Sequence, residues 1–550
     1  MLNAAQVSVD TWSGDASPSG VTSRIETVCA FHESTKAPLP AEPAPLGEQR
    51  PHQFRVFGDH PRSPLPTRLL DMPVGTLRLM SMGKAALPES LTSPPQNLQT
   101  LATWLHMAAG ITGKVSDARG SRILRAYPSA GGLYPCETYV LALGIAELDP
   151  GLYHFSAKEF SLRKLREGWE SIAQLTRGRP DLDFLKTTPA VLLVSSVMWR
   201  CAWKYGARAY RYAAIDAGHL IENLSLVATG LGIQTVIRLH TNDRNSRELI
   251  GLPKTAPFSE FEPVQGIVAW GDHAVRSIEP PAKRAGSALL APIPRPQEFP
   301  VTTDHPDIRA VHEQCVGPGV GVVAIRPPHT ELCPMFNAQM IPLAATDIST
   351  DMGLPQAIKD RRSIRDFDPS GISRDHFAAL NRAAFRGGSY YPILPEGPHM
   401  GIVRPFWYVH GVTGVQPGVW YYHANHDRFT PVRYGDYRYD AKYLFHDQAM
   451  CSEASAVCVM CANLKYMMNC SGPDAYRLAH VEAGIASERL YLACAALGIE
   501  CCAAGDFADD ELKKSLELVG TDWECLYGFA VGGLRRQAAS ASHAGGLRLG

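Results

Sequence analysis

The sequence predicts an α+β protein built from two copies of one module. Three observations carry that expectation: a set of motifs recurs at constant spacing, short β-branched runs alternate with long helical stretches in each copy, and a Pro/Ala-rich segment separates the copies. With 550 residues the chain has room for roughly two to four domains. Its 53 Lys and Arg against 54 Asp and Glu leave a net charge of −1, and hydrophobic residues make up 45%. Such a balance argues against a nucleic-acid partner, whose affinity rests on a positive field meeting phosphates. The first twenty residues lack a basic stretch leading into an apolar run, and nowhere do about 18 apolar residues follow one another. The expectation is a soluble, cytoplasmic protein without a membrane partner.

The repeat defines the elements. Lys204-Tyr205, the run from Tyr210-Arg211 through Asp216, Gly218 and His219, and then Leu231-Gly232-Ile233 are echoed by Lys465-Tyr466, the run from Tyr476-Arg477 through Glu482 and Gly484, and Leu497-Gly498-Ile499. Tyr210 and Tyr476 are 266 residues apart, and so are Leu231 and Leu497. Upstream, Phe31-His32-Glu33 is echoed by Val311-His312-Glu313, and the Gly151–His154 motif by Gly418–His423. The runs 138–143 and 189–195 read as strands, matched by 406–410 and 456–460. After each Tyr-Arg pair, apolar residues recur at helical spacing, through Ala214, Ala217, Leu220, Ile221 and Leu224 up to Gly230 or Gly232. Helices buried against a mixed sheet follow. The domain reading is an extension over 1–60, a first module over 61–275, a linker or strap over 276–350, a second module over 351–537 and a disordered tail over 538–550.

The thirteen cysteines fit no secreted disulfide framework and read as reduced thiols. Cys458 and Cys461 have CxxC spacing without a second ligand pair, so small buried residues are expected there and no metal site.

Chemistry concentrates in two stretches. After a helical stretch over Leu354–Asp360, Arg361, Arg362, Ser363 and Arg365 place three guanidiniums and a hydroxyl within five residues. Such donors suit a phosphate and the carbonyl edge of a flat heterocycle, or simply end a solvated basic helix. Pro128-Ser129-Ala130-Gly131-Gly132 combines a Pro-Ser start with paired glycines, which let bare backbone approach something flat, or simply form a turn.

The segment RRSIRDFDP from Arg361 resembles the opening of nitroreductase-family flavoproteins. The Pro128 loop, taken with Phe31–Lys36, Gly151–His154 and Lys204–Tyr212, resembles the SagB/McbC-type azoline dehydrogenases of that superfamily. The resemblance covers most of residues 30–275 and, more weakly, 310–536. It implies the nitroreductase fold and FMN as cofactor, with the tandem copies packed as an intramolecular pseudo-dimer. In that family one subunit offers the Arg-Arg-Ser element and the other the Pro-Ser loop. Here the first copy has the arginine-free stretch Met80–Pro88 in place of the former, and the second has Ser389–Pro398 in place of the latter. One FMN per chain is expected, held by Arg361, Arg362, Ser363 and Arg365 and covered by Pro128, Ser129, Ala130 and Gly131. Gly505 and Asp506 are expected near the ring, and Arg535 or Arg536 near the phosphate.

In azoline dehydrogenases a Lys-Tyr pair is associated with oxidation. Lys204 and Tyr205 are therefore the expected catalytic residues, the proton leaving to this pair and the hydride to the flavin. Lys204 can serve as a base only if burial or a nearby cation lowers its pKa, and its alternative is an exposed charge at a helix start. Lys465-Tyr466 is expected to be vestigial, Asp216 and His219 are assigned to helix packing, and Cys501 and Cys502 to packing beneath the flavin. The implied substrate is a peptide or carrier-bound intermediate of natural-product biosynthesis, with biosynthetic enzymes as partners and a monomeric pseudo-dimer or homodimer as assembly. An NAD(P)H-dependent nitro or quinone reductase and a flavin-free scaffold presenting substrate are the alternatives.

Overall fold

The computed structural model describes residues 18–38, 50–271, 293, 304–316, 339–342, 351–386 and 401–534, apart from 90–93, 118–119, 241–242 and 253–255. Most of the expected linker, the Ser389–Pro398 stretch, Arg535, Arg536 and the tail lie outside the described residues. Within the linker range a helix forms over Pro306–Val316.

Each half contains a seven-stranded sheet. In spatial order the first runs Arg62–Pro64, Ser161–Glu167, Gly151–Ser156, Cys136–Ala142, Ala190–Ser196, Val264–Trp270 and Thr235–Arg238. The second runs Ile341–Pro342, Arg428–Tyr434, Gly418–His423, Arg404–Val409, Ala456–Asn463, Trp523–Leu534 and Ile499–Ala504. Topology therefore repeats strand for strand. Every neighbouring pair is antiparallel, which corrects the mixed sheet read from sequence. Periodicity reveals which segments are extended but carries no information on their relative direction. The central strands Cys136–Ala142 and Ala190–Ser196 are buried at every residue. Both faces are covered, which is why these strands are apolar runs rather than alternating ones.

Two helices of 22 residues, Ala209–Gly230 and Ala475–Ala496, run through the middle with no residue exposed. Their surfaces are largely apolar or small, and buried charged residues such as Asp216, Glu222, Glu482 and Arg489 punctuate them. They cross at Gly218 and Gly484. A Cβ built on either glycine would lie 2.9 Å from the other's Cα and collide with a carbonyl of the facing helix, Val481 for Gly218 and Ile215 for Gly484. The crossing marks a pseudo-twofold axis. Near it the Tyr210 and Tyr476 rings stack with centroids 6.5 Å apart and planes 3° off parallel.

The N-terminal helices of the two copies exchange partners about the same axis. His32, on the helix Pro18–Ser34, has its Nδ1 3.3 Å from the Tyr476 hydroxyl, while His312 Nδ1 lies 3.2 Å from the Tyr210 hydroxyl. The Phe31-His32 and Val311-His312 echo is thus a structural equivalence in which each helix serves the opposite half. A buried latch joins the halves on this side: Arg208 and Arg211 reach Asp509 at 2.7 and 2.9 Å, and the Ala37 amide donates to the same carboxylate at 2.9 Å. Burial raises the Asp509 pKa, but the two guanidiniums outweigh it and hold the carboxyl below its ordinary value.

Two predictions follow from this packing. Gly484→Val should destabilise the protein by about 3 kcal/mol or more in chemical denaturation, since a packed core cannot absorb the added volume and the helix backbones must part. Wild-type stability in that variant would show that the crossing is not tight. Asp509 has a depressed pKa in the folded state, so its contribution is present above the ordinary carboxylate range and lost as pH falls through the folded value. Asp509→Asn should therefore lower the melting temperature at neutral pH and flatten its acid-side decline, and an unchanged acid limb would refute the latch.

Candidate active site

The Pro-Ser loop leaves the hairpin strand Gly120–Arg125 and enters the central strand Cys136–Ala142. Gly131 and Gly132 both have φ of +62°, a backbone state that side chains resist, so the paired glycines are required by the turn. The loop is held from beneath and from outside. Ser129 Oγ donates to Asp216 Oδ2 at 2.5 Å, the Ala130 amide donates to Asp216 Oδ1 at 3.1 Å, and the Tyr134 amide donates to Ser129 Oγ at 2.8 Å. From the N-terminal extension, Gln53 Nε2 donates to the Gly132 carbonyl at 2.7 Å and Arg50 at 3.3 Å. Gly131 faces the Lys-Tyr pair: a Cβ there would be 2.9 Å from the Tyr205 hydroxyl and 3.4 Å from Lys204 Nζ.

The second half reaches the same loop. After the helix Leu354–Asp360, Arg361 is buried and donates from Nε to the Ala126 carbonyl at 3.2 Å and from Nη2 to the Arg125 carbonyl at 3.1 Å. Its guanidinium also lies 5.4 Å from the Tyr491 ring centroid. The segment then runs beside the edge strand Ile499–Ala504, the Ile364 amide donating to Cys501 O at 2.9 Å. Tyr491 ties the two together, its hydroxyl lying 2.8 Å from Ser363 Oγ and accepting from the Ala503 amide at 2.8 Å. Arg362 donates to the Lys359 carbonyl at 2.7 Å. Arg365 is exposed and has no hydrogen-bond or ion-pair partner among the described residues, while its charge bears on Lys204 and Cys502.

Lys204 and Tyr205 end the helix Met198–Tyr205, so Lys204 does not stand at a helix start. Burial lowers the Lys204 pKa, and Arg365 and Arg50 push it the same way against Asp506. Burial drives the Tyr205 phenol well above its ordinary value, so it stays protonated. The Tyr205 and Tyr212 rings meet edge to face at 4.6 Å, and the Tyr212 hydroxyl donates to the Gly505 carbonyl at 2.7 Å. Asp506 lies 2.7 Å from His446 Nδ1, whose other nitrogen is 3.1 Å from the Pro38 carbonyl. His446 and Asp447 both hold positive φ, at +50° and +57°. Around one loop the structure thus gathers Lys204, Tyr205, Ser129, Ala130, Gly131, Arg361 and Arg365, with Gly505 and Asp506 alongside. Tyr212, Tyr491, His446, Arg50, Gln53 and the Asp216 clamp are additions to the expected set.

Elsewhere the echoes part. Lys465 and Tyr466 open the helix Leu464–Ser471 rather than closing one, and Lys465 is exposed beside Cys29. Their offset from Lys204-Tyr205 is 261 residues, not 266, so the two pairs are not structurally equivalent. At the arginine-free stretch of the first copy, which begins at Met80, an arginine arrives from the second long helix. Arg489 pairs with Glu222 at 2.7 Å and donates to the Ala383 carbonyl at 3.1 Å and the Met80 carbonyl at 3.5 Å. Cys501 and Cys502 are buried, and burial pushes the Cys502 thiol up to about 11. Cys458 and Cys461 are buried on a central strand. The potential ligand atoms of His32, Glu33 and Glu524 lie within 4.8 Å of one another, but Lys36 Nζ lies 2.9 Å from Glu33 and 3.3 Å from Glu524, and Lys513 Nζ lies 2.7 Å from Glu524, so ammonium groups already pair with these carboxylates. No described helix is long and apolar enough to cross a membrane.

Comparisons with known proteins agree with this architecture. The nitroreductase family model matches residues 96–271 and 421–533. A nitroreductase-like protein of Methanocaldococcus jannaschii is 30% identical over 159 residues, 29% of this chain and 76% of that protein. The trifolitoxin-processing protein TfxB of Rhizobium leguminosarum bv. trifolii is 28% identical over 155 residues, 27% of this chain but only 40% of TfxB. A crystal structure of a nitroreductase-like protein of Anabaena variabilis shares the fold, with a TM-score of 0.70 and 23% identity over 92% of this chain and 99% of that one. Matched by the family model along more than half its length, and by a solved structure along nearly all of it, the chain belongs to the nitroreductase family.

Proposed function

We propose that this oxidoreductase is an FMN-dependent dehydrogenase that oxidises an azoline-type or related group on a peptide or carrier-bound intermediate of natural-product biosynthesis. The observation that carries the reading is the meeting of two half-sites. The Pro128–Gly132 loop of the first half lies against Lys204 and Tyr205, and Arg361 of the second half hydrogen-bonds the Arg125–Ala126 backbone that leads into it. The donor set fits FMN: Arg362, the Ser363 hydroxyl and an exposed Arg365 that has no hydrogen-bond or ion-pair partner among the described residues follow Arg361 in sequence, and the Arg365 charge bears on Lys204, which Gly131 of the glycine-rich loop faces. Arg362, Ser363 and Arg365 would hold the phosphate, ribityl chain and pyrimidine edge, with Pro128–Gly131 and the Gly505–Asp506 backbone flanking the ring. Arg361, with two of its nitrogens donating to the Arg125 and Ala126 carbonyls just before the loop, joins the two elements. The relation to a trifolitoxin-processing protein supports a peptide substrate and biosynthetic partners.

Bound FMN supplies a two-electron acceptor for the hydride that leaves one carbon of the substrate. The chain's own task is the proton on the neighbouring carbon. Lys204 is half-buried with two guanidiniums acting on it, conditions that favour the neutral amine a base must be. The Tyr205 phenol keeps its proton and can donate a hydrogen bond to the substrate. Asp506 opposes the guanidiniums and limits how far the lysine is depressed.

Purified protein should release one FMN per chain on denaturation, and Lys204→Ala should retain that flavin while losing turnover of an azoline-containing peptide by at least about a hundredfold. Two FMN per chain, no binding of added FMN, or wild-type turnover in the variant would each overturn the reading.

A further inference from the structure

The long helix Ala209–Gly230 places one carboxylate, Asp216, directly beneath the loop that faces Lys204 and Tyr205. Asp216 is wholly buried, and both its oxygens accept hydrogen bonds from the loop, Oδ2 from Ser129 Oγ and Oδ1 from the Ala130 amide. With Asp216 ionised, both bonds run from the loop to the acid. Because Ser129 Oγ already accepts from the Tyr134 amide, its own proton is free to point at Asp216. Two converging donors call for two acceptor oxygens, which is the ionised carboxylate. A proton on Oδ2 would have to be donated to the second lone pair of Ser129 Oγ, turning the serine proton away and replacing charge-assisted bonds by weaker neutral ones.

The second half shows what the position does without the loop. Glu482, 266 residues on, accepts from the Ile402 and Val403 amides at 2.8 Å each. Both helices thus anchor the chain entering the central strand. In the first half the shorter acid grips further upstream of the strand, at Ser129 and Ala130, and Gly131 lies against the Lys-Tyr pair.

We infer that Asp216, as its carboxylate, is the positioning residue that sets the Pro128–Gly132 loop against Lys204 and Tyr205. This rests on the proposed function for its catalytic meaning but not for its test. No cation pairs with Asp216 among the described residues. The titratable groups that face it are His219 on its own helix, Nδ1 at 3.9 Å from Oδ1, Tyr205 and Cys201 on the helix Met198–Tyr205, Cys136 on the central strand, Tyr127 before the loop, and Tyr527 on the strand Trp523–Leu534. All are held neutral by burial near pH 7: His219 is pushed down to about 3, and the phenols and thiols are pushed up. Burial raises Asp216 itself to about 7 against the two loop hydrogen bonds. A raised carboxyl pKa gives stability that is present below the unfolded value and lost as pH rises through about 7. The ionised form that orders the loop is therefore the less stable form of the fold.

The clamp can be read without flavin or turnover, by hydrogen exchange over residues 127–135 with melting measured in parallel. In the wild-type protein, protection of the Ala130 and Tyr134 amides, corrected for intrinsic rate, should rise from about pH 6 to about pH 8. In Asp216→Asn exchange should be about tenfold faster and flat with pH, while the melting temperature holds or rises. Ser129→Ala, which keeps the carboxylate, should loosen the same peptide less and retain the pH dependence, and it decides the matter if Asp216→Asn fails to fold. Unchanged protection in the variants, or a wild-type loop indifferent to pH, would overturn the clamp. Loss of the clamp's signature with FMN binding and turnover intact would sink this inference alone, whereas its presence in a protein that binds no FMN would sink only the proposed function.

Discussion

Two glycines facing one another set the geometry on which the rest depends. Because Gly218 and Gly484 carry no Cβ, the two long helices approach to backbone contact, and each backbone occupies the space where the other's side chain would stand. That approach fixes the axis about which the halves are arranged. It also fixes the reach of everything at the rim: Arg361 can hook the carbonyls of Arg125 and Ala126, and the Tyr212 hydroxyl can meet Gly505, only at this spacing. A methyl group at the centre would be felt as a gap of ångströms between half-sites whose contacts are all near 3 Å.

The fold is symmetric, while the chemistry around it is not. Equivalent positions carry different charges: Arg208 corresponds to Asp474 and Asp506 to His240, each offset by 266 residues. At one end these residues form the latch on Asp509 and the Asp506–His446 pair. At the other, Asp474 closes on Arg477 and His240 at 2.7 and 2.9 Å. On one side Arg365 has no hydrogen-bond or ion-pair partner among the described residues, while on the other Arg489 is bound to Glu222 and two carbonyls. Buried ion pairs of this kind contribute little net stability against well-packed apolar groups, but they leave no donor for a ligand.

What could be read from the residues follows from which interactions leave a local pattern. The 266-residue offset is visible because helices packed at an axis need small residues at fixed positions. The loop and the arginine element are visible because positive-φ backbone demands glycine and multiple anion contacts demand clustered guanidiniums. Strand direction left no trace, since antiparallel and parallel strands buried on both faces read alike. Asp216 and His219 looked like packing residues because a helical acid carries no sign of what it meets 87 residues away in sequence. Lys465-Tyr466 looked like an echo because dipeptides recur easily, and only the helix boundary separates a pair that closes a helix from one that opens it. Tyr491 and His446 belong to no motif. They matter through hydrogen bonds made in three dimensions.

The exchanged helices have a consequence for how such a site persists. His32 serves Tyr476 and His312 serves Tyr210, so neither half is complete without a piece of the other. Between separate subunits, an interface of this sort would dissolve on dilution, and every substitution would appear twice, once at each end of the axis. Within one polypeptide the partner is always present at high effective concentration. Dilution cannot take the half-sites apart, and each end of the axis is free to drift without changing the other.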